Sequence, residues 1–192
     1  MNNKVHHFGA IGLTNGLAIL ADRETRTHWD HITGEAITGS LAGSQLEVWS
    51  FRMTTVAAAL VDYPEITISS SNYRSFRSSL AQRLYPHFIY GKVWLPRFFH
   101  ASMNEPVDRR LDKLTQGLGV IVGNKAKYYP MSRIPADGVY DQWLGRVLRV
   151  QRGAIDGVPR ANWRDTNEEP LQLLSRWYGF SFTYPHCEIF TQ

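Results

Sequence analysis

The stretch that decides the fold of this chain is DRETRTHWDHITGEAITGSLAGSQL, which runs from Asp22 to Leu46. It combines charged residues, one tryptophan and three glycines with short apolar alternations. Glycine supplies the positive backbone angles that tight turns need, and alternating apolar residues are typical of half-buried strands. This 22–46 stretch therefore predicts compact turns and hairpins, and it argues against a helix. We expect Trp29 to lie in the core or to pack against a hairpin.

Length and composition place the chain among ordinary globular proteins. Its 192 residues are 43% hydrophobic and 20% charged, which is enough to bury a core within one domain. No apolar run approaches the roughly 20 residues of a membrane-spanning helix, and the first residues lack the pattern of a signal peptide. We expect a cytoplasmic location, with peripheral attachment to the cytoplasmic face of the inner membrane as a second interpretation.

Cysteine chemistry is narrowly limited, because Cys187 is the only cysteine. A single cysteine excludes an intramolecular disulfide, a Cys-x-x-Cys redox pair and a cysteine-rich zinc site. His186 beside it could act as a base, but neighbouring residues of a strand face apart and no orienting acid is evident. We predict a buried, inert thiol.

Short strands are expected on either side of the 22–46 stretch. Residues 8–21 predict a hairpin around Asn15-Gly16, a dipeptide that favours hairpin turns. Alternation over 46–51 predicts a half-buried strand, and the β-branched residues of 65–69 predict another.

Two helices are expected from apolar periodicity. The first covers about 55–62, is capped by one of the adjacent threonines and turns Val56, Ala59 and Leu60 inward. The second covers 168–178, with its proline tolerated in the first turn.

The second half of the chain begins with a strong hairpin signal. Residues 118–122 and 125–129 flank the turn Gly123-Asn124, and Pro130 ends the second strand. A further strand is expected over 146–151.

A short echo links the two halves. Tyr63-Pro64 and Tyr184-Pro185 each follow an expected helix and precede an expected strand. The echo indicates an internal duplication, although six residues can also agree by chance.

The fold class predicted from these elements is α+β and β-rich. We expect antiparallel sheets or a small barrel, with two or three short helices and a long central excursion. Residues 1–192 form a single domain in this interpretation. Two related halves, 1–70 and 105–192, joined by the segment 72–100, are the alternative.

The central segment, residues 72–100, has the most unusual composition. It contains five basic residues and no acid, although the net charge of the whole chain is only +4. Arginine and aromatic residues dominate protein-binding hot spots, so we interpret this segment as a docking arm. The predicted contacts are Tyr73, Arg74, Arg77, Tyr85, Phe88, Tyr90, Trp94, Arg97 and Phe98.

Three other interpretations of the central segment stay open. Its aromatics could lie at a membrane surface while the basic side chains meet anionic lipid headgroups. They could stack with bases of a single-stranded nucleic acid. They could also belong to the core, with the basic residues as a solvated rim.

Four motifs are similar to those of a bacterial family, domain of unknown function thirty-one seventy-nine. They are DRETxTxW at 22–29, TGEAIxGxLAGxxL at 33–46, FGxxGL at 8–13 and GVxVGNKAKYYP at 119–130. The resemblance implies a β-rich fold in which the signature glycines form turns.

The same resemblance also bears on whether this chain has redox activity. Members of that family share a Cys-Pro-x-Cys element after such a hairpin, which implies redox activity for them. The corresponding region here, residues 149–153, contains no cysteine, so the chain resembles a divergent member and the redox activity is not carried over.

Candidate catalytic and metal-binding groups also lie in the 22–46 stretch. Asp22, Arg23 and Glu24 could form an acid/base site, or a charged turn in which Asp22 accepts backbone hydrogen bonds. His28 and His31 suggest a metal site with the N-terminal histidines, but strand residues three apart face opposite sides. We assign no catalytic residue, metal or cofactor.

The function predicted from the sequence is that of a non-catalytic accessory or scaffolding subunit. It would dock onto a larger protein complex, with a membrane-embedded complex and an anionic lipid surface also considered as partners. A redox- or metal-linked enzyme of the same family is the first alternative. A single-stranded nucleic-acid-binding module is the second, and nucleic acid is the least favoured partner.

Overall fold

The computed structural model describes residues 4–14, 17–49, 51–69 and 108–191. Within these ranges the first half contains β1 (Phe8–Thr14), β2 (Leu17–Asp22), β3 (His28–Asp30), β4 (Ala36–Thr38) and α1 (Val56–Asp62). The second half contains β5 (Gln116–Val122), β6 (Lys125–Pro130), a 3-10 turn (Met131–Arg133), β7 (Val139–Trp143), β8 (Arg146–Arg152), β9 (Pro159–Trp163), β10 (Leu171–Arg176), α2 (Trp177–Thr183) and β11 (Glu188–Ile189).

The first sheet is built from β1, β2, β3 and β4, which lie side by side in that order. The predicted first hairpin is confirmed, because Phe8 lies opposite Asp22 and Thr14 opposite Leu17. Its two turn residues lie outside the described ranges. Three-residue strands alternate with turns in the 22–46 stretch, as its glycines predict.

The second sheet has the strand order β10-β5-β6-β11. The predicted second hairpin is confirmed by β5 and β6, which pair from Gly117 opposite Pro130 to Val122 opposite Lys125. β11 joins β6 in parallel, so this sheet is mixed. The third sheet is antiparallel, with the order β7-β8-β9, and β8 confirms the strand predicted over 146–151.

The fold is therefore β-rich, with antiparallel and mixed sheets and two α-helices in the described ranges. The sheets described are open, so the structure has the predicted sheets and not the alternative small barrel. The predicted central excursion lies outside the described residues. None of the helices in the described part of the chain has the length and apolarity that crossing a lipid bilayer requires.

The hairpin of β5 and β6 carries the core on both of its faces. Successive side chains of a strand point to opposite sides, so the two faces take different partners. Leu118 and Tyr129 pack in a cluster with Leu148 of the third sheet. On the other face, the ring of Tyr128 lies 5.1 Å from the ring of Trp177 in α2.

The helix predicted over 168–178 is wrong. Leu171–Arg176 is a strand in which all six residues pair with β5, and α2 begins only at Trp177. Apolar residues at 171 and 174 fit a helical repeat. The free edge of β5, however, offers backbone partners to an extended chain, and local periodicity does not reveal that edge.

The first predicted helix is confirmed as α1. Thr55 caps it by accepting a hydrogen bond from the Ala58 N–H at 3.3 Å. Its inward face agrees with the prediction at Ala59, which is buried, but not at Val56 and Leu60, which are exposed; Ala58 is buried instead.

The strands predicted over 46–51 and 65–69 are wrong. The described residues of both ranges lie outside the strands and sheets. A strand needs a neighbouring strand to pair its backbone groups, and the described ranges provide none for these residues.

Candidate docking surface

The residues predicted to contact a partner, which all belong to the central segment, lie outside the described ranges. The described ranges contain two other features with functional potential. One is a polar cluster around Asp22, and the other is an exposed apolar surface that begins where the 22–46 stretch ends.

Asp22 is the centre of the polar cluster and is only 1% exposed. Its Oδ1 accepts a hydrogen bond from the Thr25 N–H at 2.6 Å. Its Oδ2 accepts from the Thr25 hydroxyl at 2.5 Å and from the indole N–H of Trp29 at 2.9 Å. His6 Nδ1 lies 3.4 Å from Oδ1. One carboxylate thus joins a turn, β3 and the N-terminal residues.

Glu24 forms a second carboxylate pair beside Asp22. It accepts hydrogen bonds from the His7 N–H at 2.8 Å and makes a 2.7 Å contact with His7 Nδ1. These hydrogen bonds lower the pKa of Glu24 to about 2. Burial by itself raises the pKa of Asp22, but the hydrogen bonds from Thr25 and Trp29, together with the nearby His6 imidazole, outweigh burial and hold that pKa well below its usual range.

The cluster has the donor types of a metal site. His6, Asp22 and Glu24 each offer one ligand atom, and these atoms lie within 4.8 Å of one another. Every oxygen of the two carboxylates already accepts a hydrogen bond or contacts an imidazole nitrogen. A cation would have to share these oxygens with their present donors, whereas His6 Nδ1 has no hydrogen-bond partner among the described residues. The cluster is better explained as the charged turn that was one of the two interpretations of Asp22.

The histidines of the 22–46 stretch do not converge on this cluster. His31 Nδ1 makes a 2.7 Å contact with the Ala18 carbonyl, and His28 lies in β3. The histidines beside the acids are His6 and His7, which antiparallel pairing of β1 with β2 brings there. The predicted hairpin of residues 8–21 could have indicated this position, because it brings the residues just before β1 next to Asp22.

The rest of the 22–46 stretch also serves the scaffold. Trp29 is fully buried, as predicted. Gly39 has a φ of +104°, and a Cβ at this position would lie 2.6 Å from the Thr27 Cα. Only glycine combines this backbone angle with so close an approach.

The exposed apolar surface is formed by the described residues of 46–69, which are 46–49 and 51–69 and are called here the apolar segment. Large apolar side chains are exposed through most of its length, and Trp49 is 76% exposed. The exposed members are Val48, Trp49, Phe51, Met53, Val56, Leu60, Val61, Tyr63, Ile66 and Ile68. So many exposed large apolar side chains in one segment are typical of an interaction site.

A cleft of about 690 Å³ adjoins the apolar segment. Trp49 and Phe51 line one side, Leu20 of β2 lies on another, and Leu173 and Tyr178 come from β10 and α2. Most of these groups are hydrocarbon or aromatic, so the cleft suits an apolar ligand surface.

Charged contacts hold the apolar segment to the second half of the chain. The Thr54 hydroxyl donates to Asp156 Oδ2 at 2.6 Å, and Arg160 Nη2 lies 2.8 Å from the same oxygen. Arg52 pairs with Glu169, and Asp62 lies 3.7 Å from Arg160 Nη1. The segment is therefore anchored although its apolar side chains face solvent.

The structure contains a buried ion pair that the sequence patterns did not predict. Lys127 Nζ lies 2.6 Å from Asp141 Oδ2, which also accepts a hydrogen bond from the Tyr129 hydroxyl at 2.6 Å. Burial raises the pKa of Tyr129, and the hydrogen bond to Asp141 raises it further. Lys127 and Tyr129 are two residues apart in β6, so their side chains point to the same face of the strand. This alternation was the signal in the sequence that could have indicated the ion pair. The pair joins the second sheet to the third.

Cys187 is buried, as predicted, and His186 is exposed, so the two side chains face apart. Arg110 Nη2 lies 3.9 Å from the sulfur. Burial raises the pKa of the Cys187 thiol, and the nearby guanidinium offsets that rise only in part. A raised thiol pKa disfavours the nucleophilic thiolate.

These features define a class of protein, a β-rich domain whose 22–46 stretch forms the scaffold and whose next residues expose an apolar surface. The family model described as "Protein of unknown function (DUF3179)" matches residues 1–165, and the chain belongs to that family. The family resemblance is thereby confirmed. No curated protein and no solved structure matches the chain.

Proposed function

We propose that this chain is a non-catalytic accessory subunit that docks onto a larger protein assembly through its apolar segment. The observation that carries the proposal is the exposure of ten large apolar side chains among the described residues of the apolar segment. Exposing such a surface to water is unfavourable, and covering it with a partner removes that cost at roughly 25 cal/mol per Å².

The anchoring of the apolar segment supports docking. Thr54 and Arg52 hold it against Asp156 and Glu169, so the exposed side chains sit on a fixed backbone. Pre-organised surfaces lose less conformational entropy on binding than flexible ones. Trp49, which lines the cleft, is a residue type that is enriched among the dominant contacts of such interfaces.

Charge favours a protein partner over a polyanion at this surface. Residues 46–69 contain three acids, Glu47, Asp62 and Glu65, and one basic residue, Arg52. Phosphates of a nucleic acid or headgroups of anionic lipids would be repelled by this balance. The enzyme alternative receives little support from the Asp22 cluster, since its carboxylates are occupied by hydrogen bonds. A place at the cytoplasmic face of a membrane complex belongs to the same proposal.

The test is the mass of the native assembly with and without a substitution in the apolar segment. In mild detergent, we expect the wild-type chain to sediment in a complex well above its own 22.0 kDa. Trp49→Asp should weaken the complex at least about tenfold, as is usual for a hot-spot residue. Leu144→Asp is the matched control, because Leu144 is also exposed but lies at the β7–β8 turn.

Three results would count against docking. One is a wild-type chain that sediments alone at 22.0 kDa. The second is a complex that survives Trp49→Asp unchanged, and the third is equal loss with Leu144→Asp. Urea unfolding of both variants would show that they are folded.

A further inference from the structure

The two helices of the described ranges are copies of one local structure. α1 begins at Val56 and ends at Asp62, and α2 begins at Trp177 and ends at Thr183. The two first residues and the two last residues are separated by the same number of positions. The residues that precede them have φ/ψ of −88°/157° and −94°/150°. Both helices are seven residues long.

The turns after the two helices also agree. The next residues, Tyr63 and Tyr184, have φ/ψ of −139°/80° and −125°/71°, and the N–H of each donates at 2.8 Å to the carbonyl four residues before. A proline follows in each case. The N–H of Ile66 then donates to Tyr63, and that of Cys187 to Tyr184, both at 3.0 Å. The echo seen in the sequence thus extends to backbone geometry, which supports the proposed duplication.

The second copy is covered by the β5–β6 hairpin. The strand before α2 pairs with β5, and the strand after it pairs with β6. Between these strands α2 lies so close to the hairpin that a Cβ at Gly119 would lie 2.0 Å from the Phe180 ring. Trp177 is fully buried as a result, and Cys187 is 2% exposed.

The first copy has no such cover among the described residues. Val56, the counterpart of Trp177, is 57% exposed, and Ile66, the counterpart of Cys187, is 42% exposed. Within the described ranges, residues 51–55 and 66–69 have no strand pairing. In α1 Ala58 and Ala59 are buried, and Ala59 is the counterpart of Phe180, whereas Val56 and Leu60 are exposed.

We infer that the apolar segment binds a β-hairpin of the partner, seated as β5 and β6 are seated on β10, α2 and β11. The inference rests on the proposed docking function and names the form of the partner. One strand of the hairpin would pair antiparallel with residues 51–55, and the other would run parallel to 66–69, as in the second copy. Backbone pairing of this kind gives affinity, and side chains give specificity.

Charge indicates that the partner hairpin is basic. In the apolar segment Asp62 is paired with Arg160 and Arg52 with Glu169, and Glu47 and Glu65 are its other acids. Residues 116–130 of the hairpin that covers the second copy contain two lysines and no acid. Opposite charges across an interface favour the correct register and speed association.

The probe for the test is a peptide of residues 114–132 of this chain, closed by a terminal disulfide because isolated hairpins are marginally stable. The isotope-labelled full chain is titrated with it by NMR. We expect one-to-one binding, with amide shifts confined to residues 51–69. Val56→Asp should weaken binding at least about tenfold without unfolding α1, because an acid is favourable in the first turn. Leu144→Asp should bind as the wild type does.

A fused form makes the result independent of the folding of the free peptide. The same hairpin is attached to the N-terminus through a flexible Gly-Ser linker, which raises its effective concentration to the millimolar range. Hydrogen exchange at residues 66–69 should then slow at least about tenfold, and Val56→Asp should reverse the protection.

The inference is overturned by shifts that map to β10 and α2, by unchanged exchange in the fusion, or by self-association of the chain through residues 51–69. These outcomes are separable from a failure of docking itself. If the native complex is lost with Trp49→Asp while the hairpin does not bind, the docking function stands and the hairpin partner is wrong. If the chain sediments alone in its cells, docking fails whatever the peptide does.

Discussion

Asp22 shows how one buried carboxylate can hold a local fold together. It accepts hydrogen bonds from a backbone N–H, a hydroxyl and an indole, and these donors come from a turn and from β3. Burying a charge without such partners costs several kcal/mol, so the carboxylate and its donors stabilise the structure only as a set. The charge is structural at this position.

Replacing Asp22 by asparagine should therefore destabilise the fold. Asparagine keeps the shape but exchanges one acceptor oxygen for an NH₂ group, which would face the donors of Thr25 or Trp29. We expect a loss of about 2–3 kcal/mol in the free energy of unfolding, measured with urea. Glu35→Gln is the control, since it makes the same exchange at an exposed residue of the same stretch and should change little.

The same variant should alter the pH dependence of stability. The pKa of Asp22 is lower in the folded chain than its usual value near 4, so the unfolded chain binds more protons between the two values. Stability should be fully present above about pH 5 and fall as the pH drops below about 4. Glu24, with a folded pKa of about 2, adds to the same slope. A slope unchanged by Asp22→Asn would contradict this account.

At the scale of elements, the β5–β6 hairpin organises the second half of the molecule. One face packs on the third sheet, and the other packs on α2, with strands β10 and β11 added at its two edges. The close fit to α2 depends on Gly119, whose missing side chain leaves room for the ring of Phe180.

Gly119→Ala tests this close packing. A Cβ would lie 2.0 Å from the Phe180 ring, so α2 must shift or the ring must leave its position. We expect destabilisation of about 1–3 kcal/mol in urea unfolding, as is typical of overpacking. Gly9→Ala is the control, because its Cβ would meet nothing within 4 Å. Adding Phe180→Leu should cost less than the sum of the two single changes, and strict additivity would refute the steric explanation.

The elements also show where sequence reasoning succeeded and where it failed. Both hairpins and α1 are encoded locally, by turn dipeptides and a capping threonine, and all three were predicted. Residues 171–176 carry an apolar repeat compatible with a helix, yet they form a strand because β5 offers a free edge. For the strands predicted over 46–51 and 65–69, the described ranges contain no such edge.

At the scale of the whole molecule, the apolar core is distributed unevenly. The two large core clusters among the described residues are both drawn from positions after residue 110. In the first sheet, by contrast, every residue of β1 is exposed. We therefore expect the local stability of the isolated chain to differ between its two halves.

Native-state hydrogen exchange should reveal this difference. Amides of β5, which is packed on both faces, and of β8, the middle strand of the third sheet, should exchange at least about tenfold more slowly than those of β1, which corresponds to about 1.4 kcal/mol. Equal protection in β1 and β5 would mean that the chain unfolds as one cooperative unit. Protection that rises in residues 66–69 only within the native complex would agree with the proposed docking.

The sequence by itself determined the family, the two hairpins, the capped first helix, the burial of Trp29 and the turn-forming role of the 22–46 stretch. Each of these depends on local chemistry, such as glycine at positive φ or a hydroxyl that caps a helix. Tertiary structure alone decided that β10 is a strand, that His6 and His7 join the acids, and that the apolar segment faces solvent. Those outcomes depend on which distant surface is free to pair or to cover, and a local pattern carries no information about that surface.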